Sequence, residues 1–330
     1  MRVCVIGGNG NIGASIVRRL LVLGHHVTCF NRGKSGDVPE GAKIILGDRM
    51  DRKKFESTIQ AQKFDAGIDM FCFNADDAKS SIRAFQGVSH LVHCSTVCTY
   101  GVEYDWLPVS ESHPLRPTTA YGEGKVAADS VYMAAYHDSG FPVTIIKPST
   151  TYGPRMGLLR QIGGDGSWID RIRKGKPILV CGDGTALHQF MHVDDAALCF
   201  THVLDHPHTV GQTYNMVHRG YMPWSDYHRT TMKIIGREVE MVGVPLAELL
   251  ALDTPGVGIA KDIFSHNTIY SSEKLFRDVA QFQPSVSLED GISELIEIMD
   301  GDGRITDSDE QPWEDQVIAA QKSVRGALVA

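Results

Sequence analysis

The chain has 330 residues, with 32 Lys and Arg against 40 Asp and Glu, a formal net charge of −8. Hydrophobic residues make up 42% and charged residues 22%, ordinary proportions for a globular chain long enough to hold one large domain and a smaller lobe. The acidic balance speaks against a nucleic-acid surface, which needs clustered Lys and Arg, and no stretch approaches the roughly 18 uncharged apolar residues of a membrane-crossing helix.

The chain opens on Val3-Cys4-Val5-Ile6, a short apolar run suited to a strand buried on both faces of a parallel sheet. Gly7, Gly10 and Gly13 then fall three apart, and apolar residues at helical spacing run from Ala14 to Leu23. Strand, glycine turn and helix together aim free backbone N–H groups and the positive end of the helix dipole at one point, where a pyrophosphate can sit. Gly7 would make the tight turn, Gly10 would let the chain approach the phosphates, and Gly13 would let the helix lie close to the strand. A glycine-rich turn with no ligand has the same local pattern, so the motif needs a second one beside it. Opening directly on a core strand is read as leaving no room for a signal or transit peptide, and the expected location is cytoplasmic.

Further strands are expected at 27–30, 42–46, 67–73, 90–94 and 143–146, and helices at 52–61, 80–85 and 120–137. This alternation predicts an α/β fold with a Rossmann-like doubly wound parallel sheet over 1–155, returning near 189–216. A smaller C-terminal substrate lobe is expected over 156–330. Within it Ser167 to Arg173 reads as a helix, 177–180 as a strand, and Trp224 to Leu250 as two helices with a strand at 238–242 between them. Phe190 to Val193 reads as a strand leading into a helix, and 212–216 as another strand. The seven cysteines are scattered through apolar strands without metal-like or C-x-x-C spacing, which suits small buried hydrophobes in a reducing compartment. Asp300-Gly301-Asp302-Gly303 invites a calcium-loop reading, but the first ligand position would be Ile298 and the twelfth Asp309, so a solvated acidic turn is expected and no metal.

The second motif is Tyr121-Gly122-Glu123-Gly124-Lys125. Tyr and Lys four apart share one helix face, and an ammonium beside a phenol favours the phenolate, lowering a pKa of about 10. Such a Tyr can take a proton from a substrate hydroxyl or give one to a carbonyl, and the Lys can also reach a dinucleotide ribose. Alone, the pair is common on helices. Upstream, Ser95-Thr96 puts hydroxyls at the carboxyl end of the fifth expected strand, where ligands of open α/β sheets bind.

Glycine turn, strand-end hydroxyl and Tyr-x-x-x-Lys in this order resemble an extended short-chain dehydrogenase/reductase of the NAD-dependent epimerase/dehydratase family. The likeness covers nearly the whole chain, including Pro148-Ser149-Thr150-Thr151-Tyr152-Gly153-Pro154 and Phe190-Met191-His192-Val193-Asp194-Asp195. It implies Thr96 as hydrogen-bond donor to the reacting oxygen, Tyr121 as acid and base, and Lys125 as the group that tunes Tyr121 and holds the ribose. It implies Gly7, Gly10, Asn11, Ile12 and Gly13 at the pyrophosphate, and Asp48 and Arg49 near the adenine. Phe71, Cys72 and Phe73 would line the dinucleotide, with Pro148 also at the cofactor. A homodimer formed through the helix after Tyr121 is implied by analogy.

Departures from the family pattern narrow the expectation. Dehydratases carry an Asp-Glu pair after the strand-end Thr, where this chain has Val97-Cys98. Nucleotide-sugar epimerases place Asn at Thr150 and Arg at His188 to grip the substrate and its diphosphate, and no Arg occurs between Lys261 and Tyr270 as a second clamp. Thr150 and His188, with Thr96, are the expected substrate contacts, and the substrate is a sugar, nucleotide sugar or smaller hydroxy-carbonyl compound. His192, Arg155, Trp168 and Trp224 are further candidates for that pocket. At the end of the second strand stand Asn31-Arg32 with Lys34 nearby instead of an Asp, which leans the NAD(P) choice toward NADP. The leading expectation is epimerisation through a transient ketone; the alternative is an NADP-dependent carbonyl reductase or alcohol dehydrogenase. A non-catalytic dinucleotide- or RNA-associated protein is the third.

Overall fold

The computed structural model describes residues 1–34 and 36–329, the side chains as far as residue 323. Seven strands, β1 (Arg2–Ile6), β2 (His26–Asn31), β3 (Lys43–Leu46), β4 (Ala66–Asp69), β5 (His90–Cys94), β6 (Val143–Pro148) and β7 (Thr213–Met216), form one sheet in the order β7-β6-β5-β4-β1-β2-β3. Every neighbouring pair runs parallel. Strand order reverses beside β1, so the connections leaving the carboxyl ends of β1 and β4 run in opposite directions, the place where open α/β sheets bind ligands. The central strands are apolar on both faces because helices cover both. Helices α1 (Asn11–Val22) and α5 (Val193–Leu204) pack with Val3, Val5 and Ile16 on one side, while α2 (Arg52–Gln62), α3 (Ala75–Ala84) and α4 (Ala120–Ser139) close over Cys4, Ile6 and Phe55 on the other.

Two compact units emerge. The first comprises Met1–Thr151, Phe190–Arg219 and Tyr270–Val286, and the second Tyr152–Gln189, Gly220–Ile269 and Ser287–Ala330. Two boundaries differ from expectation for identifiable reasons. The fourth strand stops at Asp69, not Phe73, because the Asp69 carboxylate folds back to accept the Phe71 N–H at 3.0 Å and turns the chain out of the sheet. Helix α3 begins five residues before the expected 80, since Asn74 caps it by accepting the Asp77 N–H at 3.0 Å.

In the second unit, strands Ile178–Cys181 and Met241–Val244 pair in parallel, the latter three residues beyond the expected position. Glu314, with 1% of its side chain exposed, accepts both Arg160 guanidinium nitrogens at 3.0 and 2.8 Å and the Leu179 N–H at 2.9 Å, which fixes the helix Pro312–Val329 to the strand. The acidic tail is not simply solvated: Arg173 clamps Asp300 at 2.7 Å, and Lys174 bonds Asp307 and Asp309.

Candidate active site

The first glycine turn follows directly from β1. Gly7 takes a φ of +80°, Gly10 donates its N–H to the Gly7 carbonyl at 3.0 Å, and α1 starts at Asn11 without a side chain capping its first N–H groups. A Cβ on Gly13 would stand 2.2 Å from the Gly7 carbonyl oxygen, so only glycine lets the helix seat this closely on the turn. Asn11 and Ile12 occupy the first helical turn, half-buried.

Gly7 opens onto a cleft that continues past Asn31, Arg32, Lys34, Asp48 and Phe71. Asn31 is 7% exposed, and both atoms of its side-chain amide lack a partner inside the protein, although burial without one is costly. Arg32 is exposed and lies 5.8 Å from the centre of the Phe71 ring. An unpaired buried amide, a cation beside an aromatic face and a bare helix N-terminus suit ribose, adenine and phosphate together, so the residues present fit a dinucleotide.

Two expected cofactor residues behave differently. Arg49 borders the cleft, yet its guanidinium is used internally: it reaches both Asp69 oxygens at 3.0 and 3.1 Å, Ser81 at 2.8 Å, the Asp77 carbonyl at 3.0 Å and the Phe71 carbonyl. Its role is to brace the cleft floor. Cys72 does not line the dinucleotide through its side chain. Because the strand ended at Asp69, the thiol turns inward, where the Tyr132 hydroxyl donates to it at 3.7 Å, while Phe71 and Phe73 remain exposed with their rings 4.6 Å apart.

Tyr121 stands in the first turn of α4, which Thr119 caps by accepting the Gly122 N–H at 3.1 Å. Thr96, the residue two past the end of β5, lies near enough to the Tyr121 hydroxyl to favour its charged form. Lys125 is 1% exposed and donates from Nζ to the Cys94 carbonyl at 2.6 Å, with Nζ 4.8 Å from the Phe73 ring centre and 5.7 Å from that of Tyr121. The helix approaches because position 124 is glycine; a Cβ there would meet the Phe73 carbonyl oxygen at 2.3 Å.

The Tyr121 hydroxyl is pushed above its ordinary range, opposite to the expected direction, although 45% of the residue is exposed. Burial is the largest cause, Cys94 and Cys98 add to the rise, and Thr96 opposes it. The Lys125 ammonium bonds the Cys94 carbonyl, with Nζ 5.7 Å from the Tyr121 ring centre. Pro148 ends β6, paired with Met216.

Charges that the sequence reading passed over lie directly behind these groups. Asp129, on the same face of α4 as Lys125, accepts the Ser95 hydroxyl at 2.8 Å and lies 3.2 Å from Lys147 Nζ and 3.3 Å from His93 Nε2. Lys147 donates to the Thr99 hydroxyl at 2.8 Å. Their spacing could have been noticed, since Asp129 continues the stripe Tyr121, Lys125 by one more turn.

Of the expected substrate contacts, Thr150 is half-buried in the first unit. His188 lies inside the second unit with no exposed surface, bonded to the Thr268 hydroxyl, its ring 5.2 Å from both Trp224 and Phe264. Burial lowers its pKa to about 3. A neutral, enclosed imidazole is not a surface on which a phosphate can rest, which corrects the expectation for this residue. Trp168 and Trp224 are likewise buried, His192 accepts the Asp194 N–H at 3.3 Å as a helix cap, and Arg155 is exposed. Among the described residues no group of three or more His, Cys, Asp or Glu could hold a metal, and no helix is long and apolar enough to cross a membrane.

The model of the NAD dependent epimerase/dehydratase family matches residues 3–86 and 78–216. The chain belongs to that family. It is an enzyme of the extended short-chain dehydrogenase/reductase type, a family that depends on NAD. A 2′-dehydrokanamycin reductase of Streptomyces kanamyceticus is 30% identical over 246 residues, 74% of this chain and 70% of the relative. The chloroplast stem-loop binding protein of 41 kDa b of Arabidopsis thaliana is 23% identical across 96% of this chain and 84% of its own. The fold superposes on a UDP-glucose 4-epimerase of Stenotrophomonas maltophila with a TM-score of 0.77 at 18% identity, covering 93% of this chain and 100% of that one.

Proposed function

We propose that this family member epimerises a carbinol carbon of a sugar or related hydroxy compound through a transient ketone. The observation that carries the reading is the meeting of Tyr121 and Thr96 beside Lys125, joined by the rings of Phe73 and Phe71 to a cleft that fits a dinucleotide. A bound dinucleotide would supply reversible hydride transfer. Tyr121 removes the proton from the substrate hydroxyl and later restores it, and Thr96 donates a hydrogen bond to the same oxygen. Lys125 holds the ribose, the turn from Gly7 to Gly13 the pyrophosphate, and Asn31, Arg32, Lys34 and Asp48 the adenosine end, with Phe71, Phe73 and Pro148 along its length. Val97 and Cys98 bring no carboxylate for elimination, and Thr150 serves the substrate.

A second reading, an NADP-dependent carbonyl reductase, is favoured by two observations. Arg32 and Lys34 border the cleft without a carboxylate at the end of β2, which suits a 2′-phosphate. The enclosed, neutral His188 supports a substrate without a diphosphate, and a reductase of an oxidised aminoglycoside is among the relatives. The stem-loop binding relative raises an RNA-binding reading, against which the grouping of Tyr121, Thr96 and Lys125 stands. The seven unbridged cysteines support a cytoplasmic setting, and α4 is the proposed homodimer face, which a solution mass measurement tests.

The test incubates the protein with nucleotide sugars, free sugars and keto sugars, each with NAD⁺, NADP⁺ and NADPH. Product formed without net change in cofactor supports epimerisation; NADPH consumed one for one with substrate supports reduction. Tyr121→Phe lowers either rate by about 10²–10⁴-fold with cofactor affinity retained. An unchanged rate overturns the assignment of Tyr121.

A further inference from the structure

Three consecutive residues leaving β5 are faced by one stripe of α4. Lys125 donates to the Cys94 carbonyl at 2.6 Å, Asp129 accepts the Ser95 hydroxyl at 2.8 Å, and Tyr121 lies beside Thr96. The helix members are spaced four apart, one per turn, so each reaches one residue of the strand end. Two of these rungs belong to the chemistry already described. The third, Asp129, bonds the Ser95 hydroxyl and is 6% exposed.

Its second attachment returns to the same place by another route. Asp129 pairs with Lys147 on β6 at 3.2 Å, and Lys147 donates to the Thr99 hydroxyl at 2.8 Å while lying 4.7 Å from the centre of the Tyr100 ring. Thr99 in turn donates to the Thr96 carbonyl at 2.9 Å, and the Cys98 N–H donates to the Thr96 hydroxyl oxygen at 3.2 Å. The carboxylate therefore grips the backbone on both sides of Thr96, through Ser95 before it and through Lys147 and Thr99 after it. His93 on β5 faces the remaining oxygen at 3.3 Å. Burial pushes the Asp129 carboxyl up, and His93, Lys147 and Ser95 outweigh it and hold the group below its ordinary value, so it stays charged. A buried charge kept at this cost of desolvation calls for a purpose besides filling space.

We infer that Asp129 is a positioning residue of the reaction: through Ser95 and Lys147 it sets the strand end so that the Thr96 hydroxyl and the Tyr121 phenol address the same substrate oxygen. The inference rests on the role proposed for Tyr121. Lys147 is part of the same device, as the counter-charge that lets the carboxylate be buried. A reacting pair displaced by about 1 Å forfeits on the order of 10²-fold in rate, so a brace of this kind acts on turnover more than on binding.

The test compares Asp129→Asn, Asp129→Glu and Ser95→Ala in the full chain. Asp129→Asn keeps the shape but strands the Lys147 charge; Ser95→Ala removes one rung without burying an unpaired charge, and decides the matter if the first variant fails to fold. On the substrate selected by the assay above, Asp129→Asn lowers kcat by about 10- to 100-fold and Ser95→Ala by several fold, with KM for the dinucleotide within about twofold and partial recovery in Asp129→Glu. A second readout needs no substrate. With tyrosines labelled at ¹³Cζ and NADP⁺ added, Asp129→Asn moves the Tyr121 resonance, assigned with Tyr121→Phe, and that of Tyr100, while the tyrosines of the second unit stay in place. If the variants lose stability yet keep the parental kcat and an unmoved Tyr121 resonance, Asp129 is only a packing residue and the inference falls. If the wild type turns nothing over, the proposed function fails by itself, and the resonances still decide the brace.

Discussion

His93 in the first unit and His228 in the second are both deeply buried, but their surroundings oppose each other. His93 stands 3.3 Å from the Asp129 carboxylate, which also holds Lys147. His228 is packed against Trp168 at 5.2 Å and stacked on Trp224 at 5.9 Å, and neither ring nitrogen has a hydrogen-bond partner in the protein. Burial there lowers its pKa to about 3, as it does for His188. The first unit sets a compensated buried charge beside its imidazole; the second leaves its imidazole among aromatic rings and pairs its buried charges elsewhere, Arg160 and Arg171 with Glu314. A preorganised polar setting and a rigid apolar one thus enclose two histidines of the same chain.

The largest effect should come from breaking the pair of Arg160 with Glu314. Glu314→Ala leaves Arg160 buried and unanswered and lowers unfolding stability by about 3–5 kcal/mol, read from urea titration. A loss below about 1 kcal/mol would mean that the pair is not the anchor of the C-terminal helix. Next is the polar cleft of the first unit. Arg32→Ala weakens NADPH binding by roughly 1.5–3 kcal/mol, about 10- to 100-fold in Kd, and leaves NADH nearly unaffected. Equal loss for both cofactors would remove Arg32 as a phosphate contact.

The smallest effect at neutral pH tests the aromatic interior. His228 has a folded-state pKa of about 3, below the 6.5 of an exposed imidazole, so the unfolded chain takes up the proton first. Its contribution is complete above about pH 6.5 and is lost as the pH falls toward 3. His228→Phe changes stability at pH 7 by about 1 kcal/mol or less and makes the decline in acid shallower. A urea midpoint that falls with acid as steeply as in the parent would contradict a neutral His228.

The fold, and the grouping of Tyr121 with Lys125, were legible because their signals are local. The run Val3 to Ile6 followed by three glycines, and Tyr121 with Lys125 one turn apart, need no tertiary knowledge. What stayed hidden depends on the chain meeting itself. Asp129 and Lys147 lie 18 positions apart in stretches where a charge ordinarily marks a solvated face, and only the contact of α4 with β6 turns them into a buried pair. Cys72 was placed among the cofactor residues because Phe71 and Phe73 flank it; the strand ends at Asp69, and beyond it the thiol is buried. His188 was read as a polar contact, whereas Trp224 and Phe264, distant in sequence, enclose it.

Gly124 carries a consequence for how such a protein can change. The 2.3 Å left for a methyl group falls about 1 Å short of the 3.4 Å at which ordinary contacts begin, and the obstacle is the Phe73 main chain, which cannot rotate away as a side chain can. Any larger residue there would wedge the helix bearing Tyr121, Lys125 and Asp129 outward as a block. Lineages that acquire new substrates from this scaffold should therefore vary elsewhere and leave that single position untouched, a ratchet set by one missing carbon.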